Sequence, residues 1–460
     1  MSQADQHRHD HPDESRLPPS RPLRRTRCGS RIRLIRGRTI VILSATVFLS
    51  PFAWLRAGFA KDLSAQSSPW IRLGAHGVLE YTRADPIPGD RSLGEVRLVQ
   101  PTIMVHGGTA SNRLRMLATL NLEGLTIPEG ELTLGDWGEG FVDRRHPHTY
   151  VHELTVTLDD ALGRIDGPAR VSLVAGKGFA PFGTDDPMAR PILRYPVNHH
   201  LAQILERAIG ILGGRAGPGM VELGLFNGDE PERPGQWPRL SRFGDSWSGR
   251  VTLEPMAGLE LQGSHASVNS PEHRGGAGTD QSKWSLSGRW SRPVGRFPVY
   301  GLLEWARTSE ANGFFVFHSV LAEGAWTGGR NRLYYRFERT DRPEEERTSS
   351  FFRSRRPHFE NSILGQTRWT IHTAGYAFHL EYPPARLDLW PLVELSFGTM
   401  RDVGGGLFNA RAFYGKTSFW SLSLGVRLDL GMHIHRMGRY GVAEDTAVGT
   451  GEVHHAHHEH

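Results

Sequence analysis

The sequence predicts an all-β protein, a transmembrane antiparallel β-barrel of about 14–16 strands with a short helix in a loop. Three observations predict this fold class. The chain begins with basic, then apolar, then small residues, in the order of a secretory signal. Short runs of alternating apolar and polar residues recur after that leader. The polar positions of these runs carry full charges, which suit a lumen better than a dry core.

The leader is the first element. Residues 1–38 are polar and basic, residues 39–55 are apolar, and the small residues Gly58 and Ala60 follow. We interpret residues 1–60 as a signal peptide cleaved after Ala60, with an uncleaved anchor helix as the alternative. The single cysteine, Cys28, would be lost with the leader. A mature chain would then have no disulfide or thiolate metal site.

Three further regions follow the signal peptide. Residues 61–95 contain Pro86, Pro88 and Gly89, and we predict an irregular periplasmic N-terminal linker. Residues 96–441 hold the alternating runs and are predicted to form the barrel. Residues 442–460 are rich in glycine and histidine, and we predict a disordered tail.

The clearest strand is residues 417–430. Every even position from Trp420 to Leu430 is apolar, and the odd positions include Ser421, Arg427 and Asp429. Because strand side chains alternate, one face is apolar and the other polar. Comparable runs are predicted strands at 97–106, 150–158, 170–179, 219–227, 297–307, 314–326 and 368–381. Residues 199–212 instead place apolar residues at helical spacing and predict a short helix.

A soluble periplasmic β-protein could use the same alternation to build a core. The barrel is favoured because several runs are about ten residues long, as a tilted membrane strand requires. Aromatic residues also stand at run ends, where membrane interface girdles lie. These residues are Trp290, Tyr300, Trp326, Trp369, Trp390 and Trp420.

Residues 175–196 form the end of a strand followed by a Pro-rich loop. We expect the lumen to be lined by this loop and by the charged positions of the alternating runs. Loops of this kind fold inward and narrow a channel. The predicted pore-lining or selectivity residues are Lys177, Arg190, Glu304, Arg336, Glu338, Arg427 and Asp429.

Three histidines form the densest candidate metal site. His146, His148 and His152 could bind a divalent transition metal. On a straight strand, however, His148 and His152 would be about 13 Å apart, too far for one ion. The alternative is a turn at a strand start. The tail residues 454–460 could also bind metal weakly, so metal handling at the outer membrane stays an alternative function.

Enzyme and nucleic-acid functions have little support. Neither GxSxG nor HExxH occurs, and we predict that the chain is not an enzyme. The formal net charge is +5, from 54 basic and 49 acidic residues, and part of the excess lies in the leader. This charge is too small to indicate nucleic-acid binding. No cofactor is expected apart from the divalent metal considered above.

Alternating strands recur across residues 97–432. In this pattern the chain resembles the porin superfamily of Gram-negative outer membranes, in particular the phosphate-selective-porin-like barrels. Residues 135–154 and 435–441 are similar to segments of exported bacterial barrel proteins, from which no functional residue carries over. The resemblance implies passive diffusion of small polar or charged solutes, with outer-membrane lipid and the barrel-assembly machinery as partners, and a possible homo-oligomer. The chain departs from this family at its end, because 28 residues follow Met432.

Overall fold

Sixteen long strands in the described part of the chain close into one antiparallel barrel. The computed structural model describes residues 68–85, 93–128, 131–132, 134, 144–145, 148–161, 169–192, 195–231, 233–272, 274–345, 363–404, 409–432 and 436–444. The predicted signal peptide lies outside these residues. The first strands are β1 (Trp70–Ala84), β2 (Leu93–Gly108), β3 (Leu114–Asn121), β4 (Glu131–Leu132), β5 (Arg144–Arg145), β6 (Val151–Leu158), β7 (Ala169–Gly178), β8 (Arg207–Ala216) and β9 (Gly219–Phe226).

The remaining strands are β10 (Ser246–Met256), β11 (Leu259–Val268), β12 (Gln281–Val294), β13 (Phe297–Glu310), β14 (Phe315–Gly328), β15 (Asn331–Glu345), β16 (Ile363–Phe378), β17 (Leu380–Tyr382), β18 (Leu387–Val403) and β19 (Ser418–Gly431). Each barrel strand pairs with the next, and β1 pairs with both β2 and β19, so the sheet closes. The short β17 pairs with β18 beyond the end of β16. The separate pair β4–β5 is outside the barrel sheet.

Helical structure is short. The described helices are α1 (Glu123–Thr126), α2 (His199–Ala202) and α3 (Ala410–Tyr414), with single 3-10 turns at Pro187–Ala189, Leu240–Arg242, Ala311–Gly313, Pro383–Ala385 and Gly441–Ala443. None of the helices in the described residues is long and apolar enough to span a membrane.

The alternation of residues places apolar side chains outside and polar ones inside. In β19, Leu424 is 50% exposed, whereas its neighbour Ser423 is buried. In β12, Leu286 is exposed and Ser285 is buried. Since the polar side chains point into the barrel, the apolar exterior is a surface for lipid. The predicted fold class and strand number are confirmed.

The two ends of the barrel differ in the length of their connections. At one end, two-residue turns join β8 to β9, β10 to β11, β12 to β13 and β14 to β15. Gly258 and Gly329 have positive φ in these turns, a conformation that side chains disfavour. At the other end lie long connections, including residues 179–206 between β7 and β8. Short turns at one end and long loops at the other are typical of transmembrane barrels.

Several sequence-based boundaries need correction. The predicted linker 61–95 contains β1 and the start of β2, because the alternation that pairs with β19 already begins at Trp70. Residues 442–444 of the predicted tail are ordered against β7, where the backbone N–H of Val442 donates to Ser172 Oγ over 3.0 Å. The rest of the tail lies outside the described residues.

Two further predictions are wrong in part. The helix predicted for residues 199–212 ends at Ala202, and residues 207–216 form β8. Gly210 disfavours a helix by about 1 kcal/mol relative to alanine, and Gly213 and Gly214 follow directly after the predicted segment. Of the aromatic residues predicted for the interface girdles, Tyr300 and Trp369 are buried among core side chains. Their strand positions share the inward face.

Candidate functional site

The described part of the connection between β7 and β8, residues 179–192 and 195–206, folds into the lumen, and we call it the inner loop. Its apolar side chains Phe179, Phe182, Met188 and Tyr195 are buried. They pack with lumen-facing side chains of the wall, namely Val174, Ile209, Ile211 and Phe226. Burial of large apolar groups contributes about 1.5–3 kcal/mol each. The inner loop is therefore held as part of a core and narrows the lumen.

Asp185 anchors the inner loop to charged residues inside the barrel. Arg436 Nε lies 2.7 Å and Arg439 Nε 2.9 Å from its carboxylate oxygens, and Arg289 of β12 also contacts it. Burial alone would raise the pKa of Asp185, but the three guanidinium groups hold that pKa well below its usual range. Glu260 of β11 accepts from the same Arg436 and Arg439. The ionised carboxylate is thus the centre of a buried charge network.

A second anchor joins the inner loop to the neighbouring strand β13 through Glu304. Thr184 donates to Glu304 Oε2 over 2.5 Å, and Asn198 donates to Oε1 over 2.6 Å. Arg190 lies between Glu304 and Glu323 of β14, with its nearest nitrogen 3.6 Å from Glu323. Both carboxylates are buried, so their negative charge needs these donors.

Glu338 and Arg336 of β15 extend the second anchor. The backbone N–H of Val197 donates to Glu338 Oε2 over 2.6 Å. Arg336 Nε donates to Glu323 Oε2 over 2.9 Å. All of these wall charges are buried, so they bind the inner loop instead of lining an open aqueous pore.

Residues 436–444, which we call the inner tail, enter the lumen after β19. Tyr440 is buried, and its hydroxyl donates to Glu153 Oε1 of β6 over 2.7 Å. The same hydroxyl accepts from the backbone N–H of Phe179 over 3.0 Å. The inner tail therefore ties the start of the inner loop to the wall.

A cavity of about 180 Å³ remains beside the inner loop. We call it the arginine cavity, because Arg190, Arg332 of β15 and Arg427 of β19 all line it. Asp429 and His76 lie on its wall as well. Its other lining residues are Thr102, Met104, Met188, Ala189, Pro191, Met432 and Met437. The volume is sufficient for a small solute with several waters.

The charges of the arginine cavity do not balance. Arg427 Nε lies 2.9 Å from Asp429, whose other oxygen lies 2.6 Å from His76 Nδ1. Arg332 stacks on Trp390, with its guanidinium carbon 3.9 Å from the ring centroid. Among the described residues, Arg332 has no carboxylate within ion-pair distance. Arg190 is paired with Glu304 and Glu323, so Arg332 is the cavity cation without a described carboxylate partner, and its charge favours an anion.

The structure separates the predicted pore residues into three groups. Arg190, Arg427 and Asp429 meet at the arginine cavity. Glu304, Arg336 and Glu338 instead hold the inner loop, as described above. Lys177 is buried elsewhere, where its Nζ donates to Thr149 Oγ1 over 2.6 Å.

Arg332 and His76 were not among the predicted site residues. Arg332 lies four residues before Arg336 in β15, and because strand side chains alternate, both point to the inward face. The even spacing from Arg336 could have identified it. His76 lies in β1, which the predicted linker had hidden.

Three histidine rings form a second buried group, which we call the histidine cluster. The ring centroid of His148 lies 4.8 Å from that of His152 and 5.5 Å from that of His199. The expected separation of about 13 Å for His148 and His152 is wrong. The chain bends at residues 148–150, and β6 begins only at Val151. His146 lies outside the described residues.

Each ring of the histidine cluster has a buried carboxylate beside it. Nδ1 of His148 lies 2.9 Å from Glu123 Oε2, and Nδ1 of His152 lies 2.9 Å from Glu206 Oε1. His199 Nε2 lies 3.6 Å from Oδ2 of Asp186, and both residues belong to the inner loop. Burial lowers the pKa of His199 to about 3, against the opposing effect of its carboxylate partner. That imidazole is therefore neutral at neutral pH.

Comparison with known proteins gives likenesses in structure. No family model matches the chain, and no curated protein matches it in sequence. An anion-selective porin from Comamonas acidovorans has a TM-score of 0.46 at 12% identity, over 79% of this chain and 100% of that one. OmpF of Salmonella typhi, in complex with daunomycin, has a TM-score of 0.46 at 8% identity, over 79% of this chain and 99% of that one. OccK2 of Pseudomonas aeruginosa, in complex with glucuronate, has a TM-score of 0.37 at 12% identity, over 82% of this chain and 100% of that one.

The cellular location follows from the barrel itself. The sheet is closed, and large apolar side chains such as Leu223, Leu286 and Leu303 are more than half exposed on its outside. A closed antiparallel barrel with such an exterior is the form in which strands cross the outer membrane. The chain is an outer-membrane β-barrel. Contact with the assembly machinery and homo-oligomer formation stay predictions.

Proposed function

We propose that this barrel is a porin-like, non-enzymatic channel that passes small anions across the outer membrane. The arginine cavity is the observation that carries the proposal. It presents Arg190, Arg332 and Arg427 to a space beside the inner loop, with Asp429 as its one carboxylate among the described lining residues. An anion entering this space exchanges water for guanidinium donors.

The inner loop and the inner tail determine the size of the solute. Both segments are buried in the lumen, and the arginine cavity is the space beside them. A cavity of this size suits the passage of single small solutes better than the bulk diffusion that an open barrel allows. We therefore expect a low unitary conductance relative to a barrel of the same strand number without a filled lumen.

Phosphate is the solute class that the cavity suits best. A guanidinium group presents parallel N–H donors that match two oxygens of a phosphate. Arg332 contributes the charge that no described carboxylate offsets, and Arg427 shares Asp429 with His76. Inorganic phosphate should therefore occupy the cavity longer than chloride does.

Block of chloride current by phosphate tests this function. In a planar bilayer, added phosphate should reduce the current of the wild-type channel. Arg332→Gln and Arg427→Gln should each weaken the block about tenfold, the effect of losing one charge-assisted contact of about 1.5 kcal/mol.

Arg296→Gln is the matched control. Arg296 is exposed in the turn between β12 and β13, outside the arginine cavity. Its replacement should leave the block unchanged. Equal block in wild type and both cavity variants would contradict the proposed role of the cavity, and a protein without any conductance would contradict the channel.

A further inference from the structure

The histidine cluster contains buried polar atoms that have no hydrogen-bond partner. These atoms are His152 Nε2, both ring nitrogens of His199, and Asp186 Oδ2. All three residues are less than 5% exposed. A buried polar atom without a partner costs about 1–3 kcal/mol. Several such atoms in one place indicate that something besides the protein pairs with them.

His148 and His152 each place Nδ1 beside a buried glutamate, Glu123 and Glu206 respectively. In metal sites, a ligating histidine uses one ring nitrogen for the metal and the other for a carboxylate or carbonyl. Glu206 thus orients the His152 ring and leaves its Nε2 for a ligand. His199 Nε2 lies 3.6 Å from Asp186 Oδ2, too long for a hydrogen bond.

Two of the three ring pairs have a spacing that suits ligands of one ion. With metal–nitrogen bonds of about 2.0–2.1 Å and tetrahedral angles, the centroids of two coordinating imidazoles lie about 5 Å apart. The observed distances are 4.8 Å for His148 and His152 and 5.5 Å for His148 and His199. No three His, Cys, Asp or Glu side chains of the described residues converge on one point as they stand. Binding therefore requires the side chains to turn toward a common point.

The charge of the site favours a cation. Glu206 and Asp186 are both buried. Among the described residues, neither has a lysine or arginine within ion-pair distance, and their ion-pair partners are His152 and His199. Buried carboxylates that have no lysine or arginine partner favour a nearby cation. A divalent cation supplies that compensation and accepts the imidazole nitrogens at the same time.

We propose that His148, His152 and His199, with Asp186, bind one divalent first-row transition-metal cation such as Zn²⁺ or Co²⁺. His148 and His152 belong to the wall at the start of β6, and His199 and Asp186 belong to the inner loop. The ion therefore joins the inner loop to the barrel wall. This inference is independent of the proposed anion path, because the cluster shares no residue with the arginine cavity.

Calorimetry with Zn²⁺ and absorption with Co²⁺ test the site in the full-length protein. The five tail histidines, His454, His455, His457, His458 and His460, are replaced by serine so that the tail does not bind the probe. This protein should bind one equivalent of Zn²⁺ with submicromolar affinity. Co²⁺ should give the visible d–d absorption of a tetrahedral nitrogen and oxygen site.

Single substitutions distinguish the cluster from other histidines. In the tail-serine protein, His152→Asn and His199→Asn should each weaken Zn²⁺ binding at least tenfold. His200→Asn is the matched control, since His200 is the next residue of α2 and lies 3.7 Å from Glu230 instead. It should bind Zn²⁺ as the parent does.

Folding of each variant is measured by the shift in gel mobility on heating, which requires an intact barrel. A folded tail-serine protein that binds no Zn²⁺ tighter than micromolar would overturn the proposal. Equal affinity in folded His152→Asn, His199→Asn and His200→Asn proteins would overturn it as well. If His152→Asn does not fold, the test depends on His199→Asn, because His199 lies on the inner loop outside the barrel sheet. A Co²⁺ spectrum of this variant that equals the spectrum of its parent would overturn the proposal.

Discussion

The arginine cavity and the histidine cluster border the same inner loop but have opposite chemistry. The cavity collects guanidinium groups around Arg190, with one carboxylate, Asp429. The cluster collects imidazoles and carboxylates around Asp186. Only a few residues of the loop separate Asp186 from Arg190, with a 3-10 turn between them. In our two proposals, one short segment therefore separates an anion site from a cation site.

This difference shows how the barrel uses charge. In the cavity Arg332 has no carboxylate partner among the described residues, so a solute can respond to its charge. Around Asp185 the same kinds of groups are paired, and they fix the inner loop instead. Buried ion pairs contribute little net stability, but breaking one of them is costly because the remaining charge stays buried. The two regions therefore depend on the docked position of the loop.

The largest effect is expected from Asp185→Asn. This change removes the carboxylate that Arg289, Arg436 and Arg439 share. Breaking such a buried pair costs about 3–5 kcal/mol. The inner loop and inner tail should undock more often while the barrel persists. Single-channel recording should show a higher and noisier conductance, with a loss of phosphate block.

Glu381→Gln is the control for that measurement, because Glu381 is exposed in β17. It should conduct as the wild type does. An unchanged conductance and phosphate block in Asp185→Asn would show that the buried charge network does not hold the loop, and the contrast between the two regions would then lose its basis.

A smaller effect is expected from Tyr440→Phe. The change leaves Glu153 Oε1 and the N–H of Phe179 without their hydroxyl partner in a buried place. The expected cost is about 1–3 kcal/mol. It should appear as a lower midpoint temperature for the gel-mobility shift. Tyr376→Phe removes one exposed hydrogen bond, to Asn331, and should leave the midpoint nearly unchanged. Equal midpoints for the two variants would refute the role of the inner tail.

The smallest expected effect is the pH dependence of the Asp185 anchor. Its pKa in the folded protein is below the ordinary value of about 4. Its stabilisation is therefore fully present above pH 4 and declines as the pH falls toward the folded pKa. The difference in midpoint temperature between wild type and Asp185→Asn should stay constant from pH 7 to pH 5 and shrink below about pH 4. A difference that vanishes by pH 6 would be inconsistent with an ionised Asp185 at the anchor.

Much of the wall could be predicted from the sequence because its signal is local. The alternation from Trp420 to Leu430 determines which face of β19 meets lipid, and the neighbouring strands follow the same rule. The start of the barrel was missed because Pro86 and Pro88 suggested a linker around β1. The helix predicted for residues 199–212 was wrong because apolar spacing alone did not account for the glycines of β8.

The contents of the lumen depend on contacts between distant residues. The charged residues Arg190, Glu304 and Glu338 lie inside the barrel, but nothing local indicates that Glu304 accepts from Thr184 and Asn198. Likewise, His199 reaches His148 only through the fold of the inner loop. Strand geometry predicted the wrong separation for His148 and His152, because the bend before β6 has no strong sequence signal.

The central claim is that the arginine cavity makes this barrel an anion channel, and the reversal potential in a gradient of KCl tests it most directly. With wild-type protein in a neutral planar bilayer, we expect a reversal potential with the sign of a chloride-selective channel, and a shift toward zero in Arg332→Gln. A wild-type reversal potential with the sign of a potassium-selective channel would contradict the claim.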